Sequence, residues 1–69
     1  GVEGMLSLHV YNEQRRQVVR DGFALGIDSK VTTGKLDRAS ALDELTELLL
    51  DGPSPKAEEM LRKLQQNTH

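Results

Sequence analysis

Three places in this chain carry residue types that could do chemistry. Asp43, Glu44 and Glu47 are close enough in sequence to act as paired carboxylates or as ligands for a hard cation. Thr32 to Lys35, TTGK, holds the glycine and lysine of a phosphate loop. His9 stands ahead of Arg15, Arg16 and Arg20, the one local concentration of positive charge, where a proton switch or a set of phosphate contacts could be built.

Each place also has a plainer reading. Carboxylates that do catalysis need partial burial, whereas Asp43, Glu44 and Glu47 fall opposite an apolar stripe, so a solvated helix face is expected. The TTGK run lacks the full phosphate-loop spacing and a preceding buried strand, which leaves a turn. The serines, threonines and Tyr11 have no His-and-carboxylate partner nearby in sequence. An enzyme is not expected, nor is a cofactor. The arginines read equally well as a basic face pairing with a neighbour's acidic helix.

The element that organises the chain is Lys35 to Asp51, KLDRASALDELTELLLD. Ala41, Leu42, Leu45, Leu48 and Leu49 share one stripe of a helical wheel, with the acids opposite. Asp37 is suited to cap the start, and Asp51-Gly52-Pro53 to end the helix, so the pattern predicts a helix over 38–50. Leu50 lies off the stripe, either sandwiched by a neighbouring element or facing a partner. Beyond it, Ser54 as cap and Pro55 at the first helical position predict a further helix. Its Ala57, Met60, Leu61 and Leu64 follow the i, i+3, i+4, i+7 spacing, as a lid on the core or as an arm over 52–69 for a protein partner.

The amino-terminal half divides less clearly. Leu6, Leu8 and Val10 alternate with Ser7 and His9 across Met5 to Tyr11, which fits a strand better than a helix. A single short strand must pair, and a second subunit supplies the partner; the competing reading makes this segment the first turns of one helix running to Leu25. In the strand reading Asn12 caps a helix from Glu13 to about Leu25, Gly26 ends it, and Ile27 to Lys35 connects, with Val31 tucked into the core. Gly22 weakens that helix by roughly 1 kcal/mol relative to Ala, so packing must hold it. Phe23, the sole phenylalanine, is the expected aromatic anchor of the core.

The fold expected is therefore mainly α: a short N-terminal strand plus three helices, dimeric, with an all-α three-helix domain as the alternative. Residues 1–4 read as an added leader before Met5, and 5–51 as the strand and two-helix core. Its 69 residues contain no cysteine, and the two histidines, His9 and His69, make no ligand spacing, so neither disulfides nor metal staple the domain. A homodimer is the expected remedy for a small core. Nine basic residues against eleven acidic ones give no whole-chain footprint of a nucleic-acid binder. With four basic and four acidic groups in residues 1–34, any polyanion contact would be local and amino-terminal. No apolar run reaches membrane-span length and no signal-peptide pattern appears, so a soluble cytoplasmic protein with no membrane role is expected.

The order of strand, basic first helix and amphipathic second helix resembles the ribbon-helix-helix family of dimeric DNA-binding proteins. Gly34, Lys35, Leu36, Ala39 and Ser40 are similar to the second-helix entry of ParD-type antitoxins. Asp43 and Glu44 depart from that pattern, standing where the family places an apolar and a basic residue. The resemblance implies a transcriptional regulator or antitoxin, with a two-stranded ribbon in the major groove of duplex DNA. Ser7, His9 and Tyr11 would face bases, and Arg15 and Arg16 would meet phosphates. Leu50, Ala57, Met60, Leu61 and Leu64 would meet a protein partner. The competing function is a helical interaction or adaptor domain without a DNA role.

Overall fold

In a computed structural model the chain forms three helices, α1 (Val2–Thr32), α2 (Arg38–Asp51) and α3 (Pro55–Gln66), each touching the other two. The structure describes the backbone of residues 2–66 and side chains from Leu8 onward.

The expected strand over 5–11 is helix, and α1 runs unbroken through Asn12, which caps nothing. The physical reason is hydrogen bonding. A lone strand finds no partner within the described residues, whereas a helix satisfies its own N–H and C=O groups. No proline precedes Pro53, so nothing in the first half forces a break. Gly22 and Gly26 are absorbed, and α1 continues past Gly26 to Thr32. The all-α alternative describes the chain.

What ends α1 is Gly34, the one glycine with a left-handed backbone among the described residues, at φ 76°. Its N–H donates to Val31 O at 3.1 Å, and the Lys35 N–H donates to Lys30 O at 2.8 Å, a Schellman closure. Thr33 Oγ1 adds a bond to Ser29 O at 2.8 Å. TTGK is thus the turn the sequence suggested, and the connection before α2 is shorter than the expected Ile27 to Lys35.

The starts of α2 and α3 lie where local signals place them. Asp37 occupies the cap position, its C=O accepting from the Ala41 N–H at 3.0 Å. Its carboxylate makes no capping hydrogen bond of good geometry, yet the Ser40 hydroxyl, with the Ser40 and Ala39 N–H groups, holds its pKa below the ordinary aspartate value. Ser54 caps α3 fully, its Oγ accepting from the Ala57 N–H at 3.2 Å.

Ala24, Ile27, Ala41, Leu45, Ala57 and Met60 form the core, ringed by half-buried Val31, Leu36, Leu48, Leu49, Leu61 and Leu64. Three of the six central residues are alanines, so the helices approach closely but bury little apolar area. The expected anchor is absent from it: Phe23 is 64% exposed. It misses the core because α1 buries the row Arg20, Ala24 and Ile27, and Phe23 stands one helical step aside. The α1 segment before Gln17 projects beyond this core, stretching the molecule to 54 × 20 × 14 Å.

Candidate protein-interaction surface

Helix α1 carries apolar residues on two sides. One side supplies Ala24 and Ile27 to the core, and the other leaves Leu8, Tyr11, Val18, Val19, Phe23 and Leu25 in solvent. Apolar residues on a second side of a helix call for cover there as well. The two exposed glycines, Gly22 and Gly26, lie one turn apart within this outward face, and a Cβ at either would meet nothing within 4 Å.

Beside α2 the outward face opens into two shallow grooves of about 500 and 520 Å3. Arg15, Val19, Leu48 and Asp51 line the first; Gly22, Gly26, Lys30, Glu44 and Glu47 line the second. Phe23, Leu48 and Asp51 line both. The two ends differ in charge. Arg15 makes no ion pair among the described residues, while Glu44 and Glu47 lie exposed at the other end.

Arg16 and Arg20, by contrast, are engaged inside the chain. Arg16 pairs with Glu13, and its hydrogen bond and charge hold the Glu13 carboxyl below the ordinary glutamate range. Arg20 is buried, donating from Nε to Pro53 O at 2.8 Å and from Nη1 to Asp51 Oδ2 at 3.3 Å. Next to it, Asp21 Oδ1 accepts from Ser54 Oγ at 2.6 Å and from the Lys56 N–H at 3.3 Å. Two adjacent α1 residues therefore grip the whole α2–α3 corner. Sequence reading missed this latch, because its partners lie more than thirty residues away. The only local hint is the i, i+3 pairing of Ser54 with Ala57, which shows the cap and not its Asp21 partner.

No protein family, curated protein or solved structure matches the chain.

The proposed site residues separate accordingly. Ser7 lies on α1, its side chain outside the described ones, and His9 and Tyr11 are exposed but diverge by about 200° around the helix, so they cannot share a reading face. Arg15 and Arg16 are exposed on the projecting half of α1. Ala57 and Met60, expected to meet a partner, are buried in the chain's own core, and Leu61 and Leu64 pack half-buried against it. The amphipathic face of α3 closes on α1 and α2 because they supply the nearest apolar surface. Leu50 is 83% exposed, on the solvent flank of α2. Among the described residues no cluster of His, Asp or Glu could hold a metal, and no helix is long and apolar enough to cross a membrane.

Proposed function

We propose that this chain is a non-enzymatic protein-interaction module that works by helix-to-helix docking on the outward face of α1. The observation that carries the reading is the exposure of Val18, Val19, Phe23 and Leu25 on a helix whose opposite side is already committed to a core built half of alanines. Apolar side chains of this size gain roughly 1.5–3 kcal/mol each on full burial, and within the chain these stay half or more exposed. The regulator implied by the ribbon-helix-helix resemblance needs a strand over 5–11; with helix there, it keeps only Arg15 and Arg16 as phosphate contacts.

A photoreactive side chain placed at Val18 or at Phe23 is expected to form protein adducts in cells, and one at Asp43, on the exposed face of α2, to form none. Two results overturn the reading: no adducts at Val18 and Phe23, or duplex binding that weakens steeply with salt and disappears in Arg15→Ala/Arg16→Ala.

A further inference from the structure

One side of the α1–α2 pair has no neighbouring helix. Helix α3 packs against both and closes one side of their seam, while the two grooves follow the other side, and no residue of α3 lines either. Because Phe23, Leu48 and Asp51 belong to both grooves, the two join end to end as one trough. Along α1 it runs from Asn12 to Lys30, about 27 Å at the helical rise, which is the length of a helix of about eighteen residues. Val19, Phe23 and Leu48 give it an apolar floor. Gly22 and Gly26 leave the α1 wall bare, with nothing within 4 Å of the Cβ either would carry, so a second backbone can come close. A helix seated there completes a four-helix bundle.

Charge states what kind of helix fits. At the Asn12 end Arg15, Arg16 and Arg20 face Asp51, and at the far end Lys30 stands with Glu44, Glu47 and Asp51. Arg20 and Asp51 neutralise each other and Glu13 offsets Arg16, which leaves Arg15 at one end and an excess carboxylate at the other. A polyanion lying along the trough is therefore opposed at Glu44 and Glu47, and a uniformly basic partner is opposed at Arg15. An occupant with acid at one end and base at the other is opposed nowhere. Acid in the first turn and base in the last also complement a helix's own dipole, so such an occupant runs in the direction of α1.

We infer that the trough takes an amphipathic helix of another protein, acidic in its first turn against Arg15 and basic in its last turn against Glu44 and Glu47, with its apolar stripe on Val19, Phe23 and Leu48. The inference rests on the docking function proposed above and names the chemistry of the partner.

The probe is a synthetic helical peptide of about 20 residues with Glu in its first turn, a leucine stripe and Lys in its last turn; its comparison carries the same stripe with Gln at the charged positions. Fluorescence anisotropy is expected to show the charged probe binding the chain roughly tenfold more tightly than the neutral one. Arg15→Glu and Glu44→Lys/Glu47→Lys should each remove that advantage and leave the neutral probe's affinity unchanged. Gly26→Leu, which fills the trough, and Phe23→Ser should weaken both probes; neither position is packed in the core, and circular dichroism should show both variants helical. Because the chain has no cysteine, direction can be read by disulfide trapping: a probe with Cys beside its glutamates should trap Asn12→Cys and not Lys30→Cys. Equal affinity of the two probes, no binding of either, or trapping at Lys30→Cys overturns the inference. So does a wild-type dimer that Phe23→Ser dissolves, which assigns the trough to a second copy. Adducts at Val18 and Phe23 in cells beside any of these results leave the docking function standing with a different occupant, and their absence removes both.

Discussion

Arg20 shows how one side chain can decide the route of the chain. Its guanidinium fills the space in which a Cβ on Gly52 would sit, at 2.6–2.8 Å from the three nearest atoms. Gly52 is therefore required for room, its backbone being extended at φ 165°. Arg20→Met should lower unfolding free energy by about 3 kcal/mol, because it leaves the Pro53 carbonyl unpaired and removes the bond to Asp51. The ion pair adds little to that sum, since Asp51 is largely exposed and screened. Gly52→Ala should cost about 1–2 kcal/mol alone and much less in the Arg20→Met background, a coupling that a double-mutant cycle in urea would detect. Asp37 supplies a pH dependence. Its depressed carboxyl pKa stabilises the fold above the unfolded-state value and loses that contribution as pH falls through the lower folded value. Acid unfolding of Asp37→Asn should thus show a flatter decline below about pH 4 than the wild type, and a parallel decline would reject the assignment. Gly22→Ala and Gly26→Ala should each stabilise α1 by about 0.5–1 kcal/mol in thermal melts, since a Cβ at either meets nothing within 4 Å.

At the scale of elements, α2 and α3 were legible because their signals are local. Asp37, Gly52, Ser54 and Pro55 act within a turn of their own positions, and the leucine stripe of α2 holds Ala41 and Leu45 in the core as read. Helix α1 was misread at both ends for different reasons. Alternation over 5–11 scores hydrophobic pattern and not the availability of a strand partner, and that partner is what decides a lone strand. Gly26 resembles a stop, yet its backbone stays helical, and among the described residues the left-handed turn falls at Gly34 alone. Phe23 was misplaced because size predicts burial only when a neighbouring helix lies on the same side. The grooves beside α2 were not legible at all, being products of how α1 and α2 sit together. Ser54→Ala should lower stability by about 1–2 kcal/mol, more than an ordinary cap, since it removes the bond to Asp21 as well as that to the Ala57 N–H. Thermal denaturation of Ser54→Ala beside Asp21→Asn would show whether the two losses overlap.

For the whole molecule, the Cα radius of gyration of 14.8 Å far exceeds the roughly 11 Å of a compact chain of this length. Small-angle scattering of the monomeric chain should recover the elongated form; a compact value would mean that the projecting half of α1 folds back. Amide exchange should be slowest around Ala24 and Ile27 and fastest before Asn12, where α1 has only its own hydrogen bonds. The latch at Arg20 and Asp21 also sets an order in time. Synthesis runs from the amino terminus, so both residues leave the ribosome about thirty residues before Asp51, Pro53 and Ser54 can meet them. In that interval α1 carries its outward face complete while its core face still waits for α2 and α3. The docking face is thus complete before the chain has closed its own corner.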